Sequence, residues 1–324
     1  MSHTTTLHEA DIIAEHEAWM SKYGRTYANE AEKNKRFKIF KENFEYIHNI
    51  NNAGNRTYKL SINKYSDLTH DEFAAARTGY KVPANVHAPT SSPFNSYIAE
   101  VTDVIANAPT SLDWRELGAV TRVKDQGSCG SCWIFAAVAA TEGITKIKTG
   151  VLLPLSEKQV LDCSGNQKGC NGGYLDEAFK YIIRNKGLTM ECNYPYTARQ
   201  GTCDPVKQAA VVAKISSYGL AARYNEQELL KAVLIQPILV GIEASGQDFR
   251  HYKSGVFSGN CGTKIDHAVT VVGYGTSQDG IDYWLVKNSW GEKWGEKGYI
   301  RMKRNVAASE GLCGIAIWPI YPIA

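Results

Sequence analysis

Gln126-Gly127-Ser128-Cys129-Gly130-Ser131-Cys132-Trp133 is the stretch that decides how this chain is read. Two cysteines three apart, set among glycines and serines, are by themselves open to a metal, redox or disulfide role. The surroundings narrow the choice. Trp133 follows Cys132 directly, an Ala-rich helical run starts at Ser131, and Gln126 precedes Cys132 by six residues. His267 and Asn288 lie far downstream. A thiol at a helix start, with a histidine and an asparagine within the same chain, is the set a nucleophilic cysteine requires.

A free thiol, with a pKa of about 8.5, is a weak nucleophile until it loses its proton. A helix N-terminus and a nearby imidazolium both favour the thiolate. Residues 108–324 contain two histidines, His251 and His267. His267 is the better base, because Asp266-His267-Ala268-Val269 enters a strand run and gives the ring a rigid mount. His251 sits in Arg-His-Tyr-Lys and is expected to be solvated. The imidazole needs a partner on its other nitrogen to fix its tautomer. Asn288, in Lys287-Asn288-Ser289-Trp290-Gly291, is placed to supply it, and Trp290 to shield that bond from water. An oxyanion at the attacked carbonyl needs donors. The backbone N–H of Cys132 and the side-chain amide of Gln126 can provide two.

The 324 residues suffice for about two domains. At 44% hydrophobic and 21% charged, the chain has the composition of a folded globular protein. No apolar run approaches the roughly 18 residues of a membrane span. Residues 1–10 lack the apolar core of a signal peptide, so a secreted protein would begin here after its signal. All eight cysteines fall at or after Cys129, which marks a boundary upstream. Residues 1–107 carry net charge −1 and residues 108–324 carry +4, too little in either half to imply nucleic acid. With Cys132 as nucleophile seven cysteines remain, enough for three disulfides and one free thiol. Disulfides imply an oxidising route, secretory, vacuolar or lysosomal.

Ile12, Ile13, His16, Trp19, Met20 and Tyr23 share one helical face over 9–23. Phe37, Phe40, Phe44 and Ile47 do so over 30–52. Tyr58 to Tyr65 alternates as a strand. Residues 81–107, with Pro83, Pro89 and Pro93, are expected to be an extended linker. Ser131 to Lys148 predicts a helix stopped by Gly150, and 176–186 another. From Pro237 onward the pattern turns to strands at 238–242, 268–274, 283–287 and 299–303.

On these residues the chain resembles a papain-family cysteine protease of plant type in its zymogen form, from about residue 9 to the end. The resemblance implies an α+β fold of two subdomains, one helical and carrying Cys132, one β-barrel-like and carrying His267 and Asn288. It implies a mainly helical inhibitory propeptide over 1–107 and a catalytic domain over 108–324. Glu32, Arg36, Phe40, Asn43, Ile47 and Asn51 match the family's interrupted helix motif. Ser61, Asn63, Tyr65 and Asp67 match the motif that follows, with Ser and Tyr for the usual Gly and Phe. The propeptide is then expected to run through the cleft in reverse and block it. Ala108-Pro109 resembles the mature N-terminus.

Carried over residue by residue, Cys132 is the nucleophile, His267 the general acid and base, Asn288 its orienter and Gln126 an oxyanion donor. The implied disulfides are Cys129–Cys170, Cys163–Cys203 and Cys261–Cys313, leaving Cys192. A zinc site from Cys129, Cys132, Cys163 and Cys170 is the reading this pairing displaces. Gly172 and Gly173 would pair with an extended substrate. Tyr174, Leu175, Gly241, Ala268 and Trp318 would line the pocket for the P2 side chain, with Asp266 and Trp290 nearby. Trp318 is large and Gly241 small for their places, so Gly241 is expected to return some room. Small or medium apolar P2 residues are the expected preference. Thioester acyl transfer needs no metal or organic cofactor. The expected partners are peptide substrates and the propeptide, with no nucleic acid or membrane, and the expected state is a monomer. Asn55-Arg56-Thr57 is a candidate glycosylation site.

The sequence departs from the family at Ile134 and Ala136, where Ala and Ser are usual. Overpacking costs about 1–3 kcal/mol, and a shift near 1 Å at the thiol can cost about 10²-fold in rate. The rival reading is therefore an impaired homologue acting as a storage or binding protein.

Overall fold

The computed structural model describes residues 8–79, 108–165 and 169–324. The expected linker over 81–107 lies outside them. Helices α1 (Glu9–Tyr23) and α2 (Glu30–Asn52) form where the apolar spacing predicts. Gly24, at φ 61°, ends α1 in the left-handed conformation that glycine adopts without strain. The Asn29 side chain caps α2 by accepting from the Glu32 N–H, satisfying one of the free donors of the first turn. Ile12, His16 and Trp19 are buried against Phe37 and Phe40, whereas Ile13 is 47% exposed and lies off the face assigned to it. The next helix, α3 (His70–Arg77), carries a reciprocal capping box between Thr69 and Glu72.

Among the described residues nine strands form one sheet. They are β1 (Tyr58–Leu60), β2 (Leu112–Asp113), β3 (Ser217–Leu220), β4 (Ile238–Ile242), β5 (Tyr252–Phe257), β6 (His267–Thr276), β7 (Asp282–Lys287), β8 (Tyr299–Lys303) and β9 (Ile320–Ile323). The order is β1-β5-β8-β7-β6-β4-β9-β3, with β2 paired to β6. The expected strand over 58–65 stops at Leu60. Asn63 breaks it: its side-chain oxygen accepts from the Tyr65 N–H, and Ser66 Oγ accepts from the Asn63 N–H. These local bonds compete with the ladder and turn the chain.

β1 pairs antiparallel with β5, so the N-terminal region adds a strand to the sheet. Its other anchors are specific. Asn43 Nδ2 donates to the Ser66 carbonyl, while Arg250 and Gln247 donate to Asn43 Oδ1 at 2.8 and 2.9 Å. Tyr46 and Tyr58 both donate to the Asp248 carboxylate. Phe73 and Tyr65 pack edge-on against Trp290.

The helical part is built on α4 (Cys132–Thr149), α5 (Glu157–Cys163) and α6 (Leu175–Arg184). α4 packs Trp133, Ala137 and Val138 against Ala178, Phe179 and Ile182 of α6. Ile134 is fully buried in that core and α4 is unbroken, so the extra carbons are housed without interrupting the helix. A second core fills the β part, from Val240, Ile242, Val269, Val271, Trp284 and Val286, and the N-terminal region contributes Ile47, Tyr58, Leu60, Tyr65 and Phe73 to it. α4 lies along β6, which brings Cys132 to the border of the two parts.

Candidate active site

Cys132 is the first residue of α4 and is fully buried. The loop before it is pinned by the Cys129–Cys170 disulfide and by the Gly130 N–H donating to the Cys170 carbonyl at 2.7 Å. Cys163–Cys203 and Cys261–Cys313 are also bonded, so all three pairings implied by the resemblance are present and Cys192 is an exposed free thiol.

His267 opens β6, and Asn288 follows β7. The His267 Nε2 lies 2.8 Å from Asn288 Oδ1, an oxygen that also accepts from the Ser289 N–H at 2.8 Å. An amide oxygen has only lone pairs to offer, so Nε2 carries the hydrogen and Nδ1 of the neutral ring is left as a base. That Nδ1 is buried and has no hydrogen-bond partner among the described residues. Trp290, fully buried, lies with its ring centroid 4.7 Å from that of His267. His251, expected to be solvated, is instead completely buried beneath the turn after β1, whose Ser61 N–H donates to the His251 carbonyl. Burial and then Arg250 pull its pKa down to about 3. Its local sequence is polar, but tertiary packing decides its environment.

Gln126 is held at both ends of its amide. Nε2 donates to the carbonyls of Cys129 at 2.9 Å and Arg77 at 3.1 Å, and Oε1 accepts from Ser289 Oγ at 2.7 Å. Ser289 thus sets which way the donor points, a role nothing in the local sequence announces. Ser289→Ala removes one buried bond of about 1–1.5 kcal/mol. The expected result is roughly a tenfold fall in kcat with KM little changed. Steady-state kinetics on a peptide substrate checks it; an equal rise in KM would mean that Ser289 holds substrate instead.

The cleft is filled by the chain's own N-terminal region. After α3 the Arg77 carbonyl takes the Gln126 donor, and the Gly79 carbonyl accepts from the Gly173 N–H at 2.9 Å. The backbone N–H groups of Ala268, Gly79 and Trp133 favour the Cys132 thiolate. Close approach requires glycine: a Cβ on Gly172 (φ 101°) would lie 2.1 Å from the Gly79 oxygen. Under this cover the pair is dry. Burial pushes Cys132 up to about 11 against those N–H groups, and burial pulls His267 down to about 4 against its Asn288 bond. Desolvation therefore favours thiol and neutral imidazole over the charged pair.

Leu175, Ala268 and Trp318 share one apolar cluster, joined by Ile265. Tyr174 is the N-cap residue of α6. The room expected beside Gly241 is not there, because Ile265 fills it: a Cβ on Gly241 would sit 2.7 Å from Ile265 Cγ2. Trp318 is backed by Arg223, whose guanidinium lies 3.6 Å from the ring centroid and whose Nε donates to the Ile317 carbonyl. The Asp266 carboxylate is taken by the N–H groups of Ala244 and Ser245. Neither Ile265 nor Arg223 was marked by the sequence, since each acts through a neighbour distant in the chain.

Residues 108–323 match the family model for papain family cysteine proteases, and residues 16–73 match that of the cathepsin propeptide inhibitor domain (I29). The chain belongs to the papain family of cysteine proteases. It is 45% identical over 320 residues to the senescence-specific cysteine protease SAG39 of Oryza sativa subsp. indica, covering 98% of this chain and 91% of that protein. It is 47% identical over 307 residues to fruit bromelain of Ananas comosus, covering 94% and 85%. The recombinant stem bromelain precursor superposes with a TM-score of 0.86 at 45% identity, covering 97% of this chain and 99% of that one. The proform of Amb a 11, a ragweed pollen cysteine protease, gives 0.88 at 40% identity, covering 99% and 98%. Bromelain from Ananas comosus in complex with the E64 inhibitor gives 0.64 at 52% identity, covering 67% and 99%. The chain is thus a papain-like cysteine endopeptidase carrying its propeptide, which lies across the protease cleft as an intramolecular inhibitor.

Proposed function

We propose that Cys132 is the nucleophile, His267 the general acid and base, Asn288 its orienter, and that Gln126 and the Cys132 N–H form the oxyanion site. The observation that carries the reading is the His267–Asn288 bond, because it fixes the tautomer that leaves Nδ1 unprotonated. Nδ1 takes the thiol proton and the sulfur attacks the scissile carbonyl. The oxyanion draws on the two N–H donors. The intermediate collapses, the imidazolium protonates the leaving amine, and water activated by the same nitrogen hydrolyses the thioester. Gly173 holds the substrate backbone as it holds Gly79, with Gly172 leaving room for the close approach.

The P2 pocket of Leu175, Gly241, Ile265, Ala268 and Trp318, with Tyr174 at its rim, is apolar and has a cation behind it at Arg223. It favours Val, Leu or Pro and rejects Arg. A peptide library should show apolar P2 preference; dominance of Arg or Phe at P2 would sink this assignment. The protease region begins near Ala108, a boundary supported by the pairing of β2 with β6 and by Tyr274 donating to the Pro109 carbonyl. Three disulfides support a secretory, vacuolar or extracellular destination. Asn55 is exposed and open to glycosylation, and the working state is a monomer.

The test is intact mass after mild acidification, with and without an epoxysuccinyl inhibitor of the kind bound by bromelain. Loss of about 107 residues, blocked by a single adduct on Cys132, is the expected result. Adduct formation at Cys192 with unimpeded processing would overturn the assignment.

A further inference from the structure

A second hollow, of about 300 Å³, lies on the seam between propeptide and protease, on a face that the catalytic reading does not use. The propeptide supplies Lys22 and Tyr23 from the end of α1 and residues 61–63 after β1. The protease supplies Lys253 on β5, and Lys293 and Lys297 from the turn before β8. Four lysines and one glutamate, Glu292, are among the residues that line this single space. All four lysines are exposed, and among the described residues none of them forms an ion pair.

Lys297 adds a second, independent sign. Its φ is +54°, in the left-handed region, between Gly295 at +58° and Gly298 at +87°. A Cβ is disfavoured there, and glycine or asparagine would be at ease. Strained residues persist where the surroundings or a function hold them. Here the residue kept at the strained position is one that lines the hollow.

We propose that this groove binds a compact multivalent anion, bearing several phosphate or carboxylate groups, and that the bound anion bridges propeptide and protease and holds the enzyme latent. Like charges crowded at one site repel, and an anion that meets all four relieves the repulsion of both parts at once. Because Lys22 belongs to one part and Lys253, Lys293 and Lys297 to the other, the full site exists only while the propeptide is docked. A ligand that binds only the docked state stabilises it by mass action, and at 100 times its Kd it lowers the undocked fraction about 100-fold. Salt should weaken the effect steeply, since exposed charges are screened beyond about 10 Å at 0.1 M.

The experiment uses the full-length zymogen at low salt. Calorimetry measures binding of inositol hexakisphosphate and, separately, of trigalacturonic acid, so that the phosphate and carboxylate sources are distinguished. Acid-triggered processing is timed with and without each. The expected result is saturable binding of at least one of them, with processing slowed ten-fold or more. Both effects should be lost in Lys22→Gln and in Lys297→Gly, and the mature enzyme should be insensitive. Lys297→Gly removes the charge while easing the backbone strain, and its thermal unfolding checks that the fold is kept. No binding of either anion by the wild-type zymogen would overturn the proposal. So would undiminished binding by both variants, or binding that speeds processing. The calorimetry stands even if processing itself fails, so a failure of the catalytic assignment is distinguishable from a failure of this one.

Discussion

Gly79→Val should make the latent chain leaky, raising the activity of the uncleaved zymogen about 10³-fold. Gly79 crosses the site where the backbone of the thiol loop is closest. A Cβ there would lie 2.0 Å from the Gly130 oxygen, 2.4 Å from its carbon and 2.6 Å from its Cα. These are backbone atoms, fixed by the Cys129–Cys170 disulfide and by the Gly130–Cys170 hydrogen bond, so they cannot swing aside as a side chain would. The propeptide has to lift. Lifting forfeits the Gly173–Gly79 bond and the Gln126–Arg77 bond, each about 1 kcal/mol net, on top of about 1–3 kcal/mol of overpacking. The total of roughly 3–5 kcal/mol corresponds to a shift near 10³ in the opening equilibrium. The measurement is turnover of a fluorogenic peptide at neutral pH, with processing monitored by mass so that only uncleaved chain is counted. Thr78→Ala serves as the control. A Gly79→Val zymogen as silent as wild type would mean that the block lies elsewhere along the propeptide.

The position of Gly79 could not be read from the sequence, and the reason is instructive. A glycine just past a helix is an ordinary helix stop; that it passes within contact of Gly130 depends on where α3 docks. The helices over 9–23 and 30–52 were legible because apolar residues at steps of three and four define a buried face without reference to anything distant. The pairing of His267 with Asn288 was legible because the proposed reaction demands those residue types, and few candidates existed. Tyr58–Tyr65 was overread as one strand because period-two alternation says nothing of Asn63 capturing its own backbone. The polar sequence around His251 points to solvent, while its neighbours in space are the turn after β1 and the protease core. Ile265 and Arg223 are hidden for the same reason: each packs against a residue distant in the chain, Gly241 and Trp318 respectively.

Cys132→Ala should reduce peptidase activity by about 10⁶-fold, the order seen when a nucleophile that acts as a unit with its base is removed. The fold should survive, because the helix, the Cys129–Cys170 disulfide and the Gly173–Gly79 and Gln126–Arg77 bonds do not use the sulfur. The variant should therefore remain uncut on acidification alone and be trimmed when a trace of active wild-type enzyme is added. That pair of results separates a missing nucleophile from a misfolded chain. Failure of trimming in trans would point to misfolding, and more than about 1% residual activity would exclude Cys132 as the nucleophile. Labelling gives the same answer with the opposite sign of change. In the latent chain burial pushes the Cys132 thiol up to about 11, so at pH 7 only about one molecule in 10⁴ presents a thiolate. Alkylation of Cys132 should be slow there, rise tenfold per pH unit below that value, and jump at fixed pH once the propeptide leaves and water and His267 reach the sulfur. Gly79→Val should produce part of that jump without any cleavage, which ties the two expectations to one cause. On the proposed assignment, the propeptide silences the enzyme by keeping the thiol and imidazole dry, as well as by occupying the place of the substrate.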